Sequence, residues 1–295
     1  MFLINTVTCE LENMCGREPM PRYAILSHTW DRDEISFQDL ESGAASTGRQ
    51  GYRKVMEACR LARDEGLNYV WIDTCCVDKK SSAELSEAIN SMYRWYHDAS
   101  VCYAYLADLS PGEDFQKCRW FSRGWTLQEL IAPQELRFYD SHWNLRGAKK
   151  EMTTLLSDIT KIRKEVLEDS DEVHCVPVAE KMSWAAGRET SRPEDMAYCL
   201  LGIFDINMSL LYGEGPRAFR RLQERILHRT NDMSLLAWAP AGSEKEAPPE
   251  LREIFARGPR DFSWIATENI TLNVTSQFIS ELEITSKGLR TLTLL

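Results

Sequence analysis

The chain has 295 residues, with 35 Lys plus Arg against 45 Asp plus Glu and a formal net charge of −10. Hydrophobic residues make up 43% and charged residues 27%, which excludes disordered and collagen-like classes and leaves an ordinary globular chain of about two domains. An acidic chain without a basic run is a poor binder of phosphate backbones, so no nucleic-acid partner is expected.

No window approaches 18 uninterrupted apolar residues, so no membrane span is expected, and Met1 to Thr6 lacks the cationic start of a signal peptide. The nine cysteines include no C-x-x-C pair. An odd, scattered set points to reduced thiols in a cytoplasmic protein rather than to disulfides or a zinc site.

In chain order, Tyr23 to Ser27 reads as a short buried strand. A polar stretch from Asp31 to Gln50 precedes a helix over Tyr52 to Glu65, with Val55, Ala58, Cys59 and Ala62 on one face and Gly66 as its stop. Tyr69 to Asp73 is the second strand. Ser81-Ser82-Ala83-Glu84 is a capping box, opening a helix whose apolar face is Leu85, Ala88, Ile89, Met92 and Trp95. Val101 to Leu106 is a third strand and Glu135 to Tyr139 a weaker fourth. This alternation predicts an α/β fold, a parallel sheet with right-handed crossovers and helices on both faces. Ligands in such sheets bind outside the carboxyl ends of the strands, here Ser27 to Trp30 and Asp73 to Asp78.

From Glu151 to Arg229 the pattern is helical, with candidates at 152–162, 179–186, 193–204 and 216–228. Residues 241–249 read as a linker, and 270–274 and 289–294 alternate like half-buried strands. The expected division is therefore 1–150 α/β, 151–238 a helical extension, and 239–295 a small β-rich segment. Ending within a strand pattern, the chain reads as a piece of something longer.

Walker, G-x-G-x-x-G, G-x-S-x-G and H-E-x-x-H patterns are absent, and Gly213-x-Gly215 reads as a turn. The densest chemistry lies between Trp71 and Glu87. Asp73 and Asp78 flank a strand end, while Glu84 and Glu87 sit one turn apart. A carboxylate there serves either as a base or cation stabiliser, or only as a helix cap on a solvated face. His28 is an acid–base candidate or a structural histidine, and Cys75-Cys76 a nucleophile or core. In the run from Arg119 to Leu130, Arg119, Arg123 and Trp125 suit phosphate gripping and base stacking. The competing reading is a helix with core tryptophans and rim ion pairs.

The segments Tyr23 to Trp30, Trp71 to Lys79, Ser82 to Met92 and Arg123 to Leu130 resemble the fungal heterokaryon-incompatibility (HET) domain. Met182 to Ala185, Glu194 to Gly202 and Leu211 to Gly215 resemble the helical region that follows it in vegetative incompatibility proteins. The resemblance implies non-self recognition ending in programmed cell death, with a sensor protein as possible partner. It further implies a TIR-like, flavodoxin-like fold in which one glutamate, on the helix after the second strand, cleaves NAD at its nicotinamide bond. By position that glutamate is Glu84, with Glu87 as rival. Ser27, His28, Trp30, Asp73, Cys75 and Asp78 would line the pocket, and Arg119, Arg123 or Trp125 would reach the pyrophosphate or adenine. NAD is then a substrate, with no cofactor, and activity would require a homo-oligomer. The alternatives are a non-catalytic self-association module and a cysteine hydrolase using Cys75 or Cys76 with His28.

Overall fold

The computed structural model describes residues 1–43, 48–110, 112–230, 232–240 and 254–267, together with the strand backbones of 281–285 and 288–292. Four parallel strands form the centre of one sheet: β3 (Tyr23–His28), β4 (Tyr69–Ile72), β5 (Val101–Tyr105) and β6 (Leu136–Tyr139). Around them lie short antiparallel strands, β1 (Phe2–Asn5) and β2 (Leu11–Asn13) on one side and β7 (Leu145–Ala148) on the other. The full order is β2-β1-β4-β3-β5-β6-β7. Residues Tyr23 to Leu26 pair in parallel with Tyr69 to Ile72, and Ala24 to His28 with Val101 to Tyr105.

Taken alone, the parallel strands run second-first-third-fourth, which is the flavodoxin-like arrangement with its switch in strand order between β3 and β5. All of β3 and β5 is buried, as strands covered on both faces must be, and β3 is apolar up to the polar pair Ser27 and His28 at its carboxyl end. Connections run through α1 (Phe37–Glu41) and α2 (Gln50–Asp64), then through α3 (Ser82–Asp98). The apolar stripe of α2 buries Val55, Ala58, Cys59 and Ala62, and that of α3 buries Ala88, Ile89, Met92, Trp95 and Tyr96.

The expected single helix after Arg119 is broken. A 3₁₀ turn covers Arg119–Ser122, then α4 (Thr126–Ile131) begins after Gly124. The break is a packing requirement, because a Cβ at Gly124 would sit 2.5 Å from Thr190 Cγ2, and its amide donates to Glu189 O at 2.8 Å. All six residues of α4 are buried. Its last carbonyls are met by the buried ammonium of Lys149, which donates to Leu130 O and Ile131 O at 3.3 Å and also to Pro133 O.

The helical extension follows as α5 (Thr153–Thr160), α6 (Lys164–Glu168), α7 (Val178–Ser183), α8 (Asp195–Tyr198) and α9 (Arg217–Arg229). The helix expected over 193–204 is only four residues long; beyond it the chain winds in tighter turns past Gly202, which abuts Tyr93 of α3. One hydrophobic cluster runs from the sheet through this extension to Phe262, in a 3₁₀ turn, and Ile265 of the α10 helix (Ser263–Thr267) that follows it. A hairpin of β8 (Glu281–Thr285) and β9 (Gly288–Leu292) lies in the segment expected to be β-rich. The expected strand at 270–274 lies outside the described residues.

Candidate functional site

A cavity of about 420 Å³ opens at the carboxyl ends of β3 and β4, beneath the first half of α3 and the start of α4. Parallel strands ending side by side deliver His28, the last residue of β3, and Asp73, the first after β4, to the same place. His28 Nε2 lies 3.2 Å from Asp73 Oδ1, and the Trp30 indole donates to Asp73 Oδ2 at 2.8 Å. Lys79 Nζ stands 3.6 Å from the centroid of the Trp30 ring. Burial opposes the charge of Asp73, yet the bond and charge of His28, with Lys79 and the Trp30 indole, hold its pKa below the ordinary value.

Glu129 of α4 lines the same cavity and has the opposite character. It is only 6% exposed, and burial together with the neighbouring Asp73 charge raises its pKa to about 8. Ser27 Oγ donates to Glu129 Oε2 at 2.5 Å and accepts from the Trp120 indole at 2.8 Å. At neutral pH the cavity thus sets an ionised Asp73 against a protonated Glu129, the arrangement that separates acid from base roles, with Asp195 as a third carboxyl group on the opposite wall.

Behind His28 the charges continue inward. Its Nδ1, buried without a hydrogen-bond partner, is 3.6 Å from Glu34 Oε1. Glu34 and Asp31 both accept from the buried Lys54 ammonium, at 2.5 and 2.9 Å. The remaining wall comes from the extension, where Tyr212 donates to Asp195 Oδ1 at 3.0 Å. Arg188, itself buried, donates to Arg123 O at 2.8 Å and Thr126 Oγ1 at 3.0 Å, tying the start of α4 to the extension. Among the described residues no cluster of His, Cys, Asp or Glu is arranged to hold a metal ion, and no helix is long and apolar enough to cross a membrane.

The family profile described as heterokaryon incompatibility protein (HET) matches residues 23–116, the stretch that supplies His28, Trp30 and Asp73. A relative, vegetative incompatibility protein HET-E-1 of Podospora anserina, is 45% identical over 221 residues, covering 70% of this chain. The chain belongs to the heterokaryon-incompatibility family. The match spans 16% of the length of that relative. A second profile, a domain of unknown function, matches residues 217–287 of this HET protein. No solved structure gives a match.

Of the residues singled out in the sequence, the HET cavity brings together His28, Trp30, Asp73, Arg123 and Trp125. Ser27 sits just behind it, bonded to Glu129. Glu84 and Glu87 do not line it. Successive residues on a helix point about 100° apart, and the face of α3 turned to the cavity carries Ser82, Leu85, Ile89 and Met92. Glu84 instead accepts from the Asp78 amide at 3.0 Å while its own amide donates to the Ser81 cap at 3.3 Å. Asp78 also lies off the cavity and accepts from Gln38 Nε2 at 2.6 Å. Arg119 is turned away, donating to Thr29 Oγ1 and Asp31 Oδ1 at 3.1 Å. Cys75 is fully buried, and burial with the adjacent Cys76 pushes its thiol well up, the reverse of an activated nucleophile. Gly213 and Gly215 form a turn, as expected, whose amides donate to Glu194 Oε1 at 2.8 and 2.9 Å. Glu129, Asp195, Arg192 and Tyr212 were not anticipated as cavity residues. For Glu129 the signal present in the sequence was a carboxyl group set among Leu127, Leu130 and Ile131.

Proposed function

We propose that this chain is an effector of fungal non-self recognition that triggers programmed cell death, and that its cavity hydrolyses NAD at the nicotinamide–ribose bond. The observation supporting this most directly is the pair of carboxyl groups, Asp73 ionised and Glu129 protonated, at the strand ends of a flavodoxin-ordered sheet. In this reading the role expected of Glu84 belongs to Asp73. As the N-glycosidic bond breaks, its electron pair leaves with nicotinamide, which departs neutral and needs no proton. The ribosyl C1′ becomes cation-like, and the fixed charge of Asp73 stabilises it. Water then forms the C1′–O bond and gives its proton to Asp73, which returns it to solvent. The products are nicotinamide, ADP-ribose and a proton. Glu129, holding its proton, donates a hydrogen bond to a ribose hydroxyl, and His28 positions Asp73.

Nicotinamide release from NAD by the purified chain tests this reading. Asp73→Asn is expected to reduce turnover about 10²–10³-fold, the scale of losing one charge stabiliser, with circular dichroism unchanged and toxicity on expression abolished. Undiminished turnover in Asp73→Asn refutes the assignment. Full toxicity of the parent without NAD loss refutes the hydrolase and leaves a self-association module.

A further inference from the structure

The cavity wall formed after residue 190 ends in an irregular loop that side-chain hydrogen bonds tie down at several points. Leu211 N donates to Tyr198 Oη at 2.8 Å, and that hydroxyl donates to Glu214 Oε1 at 3.1 Å. Arg221 of α9 donates to Ser209 O at 2.6 Å and pairs with Glu214. Gly213 and Gly215, at φ +101° and +60°, turn their amides onto the Glu194 carboxylate. These bonds fix Tyr212 between them, with its hydroxyl on Asp195 and the Arg192 guanidinium 4.5 Å above its ring. The Arg192 residue is exposed, and neither its guanidinium nor that of Arg123 makes an ion pair among the described residues. A guanidinium stacked on an aromatic ring leaves its donor edge free for a bidentate phosphate contact.

The charge of the cavity agrees. Lys79, Lys80, Arg123 and Arg192 line it against Asp73 and Asp195 once Glu129 is protonated, so an acidic protein presents a locally cationic pocket. Its aromatic members, Trp30, Trp125 and Tyr212, offer stacking faces, and the Asp195 carboxylate is an acceptor suited to an exocyclic amine.

We propose that this wall is a subsite for the adenosine diphosphate half of a dinucleotide, with Arg192 and Arg123 on the pyrophosphate and Tyr212 with Asp195 on the adenine. The inference rests on the NAD reading for what fills the rest of the cavity. It makes the extension a specificity element, so that adenine dinucleotides are selected over nicotinamide mononucleotide.

Calorimetric titration of the full chain with ADP-ribose and with nicotinamide mononucleotide measures this directly, alongside kcat and KM for NAD and the mononucleotide. Arg192→Ala is expected to weaken ADP-ribose binding at least about tenfold, the scale of one lost charge-assisted contact, and to weaken binding of the mononucleotide, which carries only one of the two phosphates, clearly less. In turnover it should raise KM for NAD at unchanged kcat. Tyr212→Phe, which keeps the ring and removes the bond to Asp195, should weaken ADP-ribose binding less. Equal ADP-ribose affinity in parent and Arg192→Ala overturns the subsite, as does an equal loss for both ligands. Arg192-dependent ADP-ribose binding without NAD cleavage upholds the subsite and refutes the hydrolase. NAD cleavage with an unaltered preference in Arg192→Ala does the opposite.

Discussion

Replacing Glu129 by glutamine should make the protein more stable, and the gain should depend on pH in a defined way. In the native state the carboxyl titrates at about 8, against an ordinary value of 4.5 in the unfolded chain. The folded protein therefore binds this proton more tightly than the unfolded one, and the stability it contributes is complete below about pH 4.5 and lost as pH rises to about 8. At about 1.36 kcal/mol per pH unit, that interval from 4.5 to about 8 amounts to about 5 kcal/mol. Near pH 7 about 3 kcal/mol of it has already gone, because the unfolded chain is ionised while the native carboxyl is held neutral. Glutamine keeps the shape and can still accept from Ser27 Oγ, but it never ionises. Glu129→Gln should thus match the parent near pH 5 and exceed it by up to about 3 kcal/mol near pH 7. Urea unfolding at several pH values, followed by tryptophan fluorescence, reads the difference. A parent whose stability is flat over this range, or a Glu129→Gln protein weaker than the parent near pH 7, refutes the reasoning. A carboxyl group that costs stability where it sits is what a functional site tolerates and a structural one does not.

Lys54→Met should cost about 3 kcal/mol, since it strands the largely buried Glu34 carboxylate that the ammonium now compensates and leaves Asp31 with Arg119 alone; an unfolding midpoint close to the parent's would show that these charges are screened by water. Glu84→Gln should be nearly silent, with a stability cost below about 1 kcal/mol and unchanged NAD cleavage, because glutamine still accepts from the Asp78 amide. A folded but inactive Glu84→Gln protein would return the catalytic role to α3.

Much of the sheet was legible because buried parallel strands are mostly apolar and the helices between them carry a clear stripe. Tyr23 to Ser27 and Tyr69 to Ile72 announced themselves in this way, and so did the faces of α2 and α3. The strands β1, β2 and β7 did not, because three or four residues carry no period, and in the edge strands β2 and β7 little is buried to detect. His28 and Asp73 could be named from strand ends alone, since the fold rule fixes where those ends converge. The position of Glu84 along its helix matches the expected glutamate, but position along a helix does not specify direction around it. Arg192 and Tyr212 reach the cavity through contacts between residues far apart in the chain, such as the Asn90 amide donating to Met208 O at 3.2 Å, and no local pattern encodes these.

The opposite ionisation of two carboxyl groups in one cavity follows from what stands next to each. Asp73 is half-buried at a strand end, with an imidazole, an indole N–H and the Lys79 ammonium turned toward it, so its charge is solvated by the protein. Glu129 lies inside a wholly buried helix, and there the hydroxyls of Ser27 and Tyr96 and the Arg123 charge do not offset what burial costs its ionised form. The charge of Asp73 then adds to the cost of ionising Glu129, which makes each group's state depend on the other. That dependence is set by α4, and α4 is held from both sides of residue 150. Lys149 closes its last turn, Arg188 donates to the carbonyl of Arg123 before its first, and Gly124 admits Thr190 where any side chain would collide. The sheet supplies the ionised carboxylate; the extension fixes the helix that holds the protonated one. A chemistry that needs both carboxyl states needs both parts of the chain.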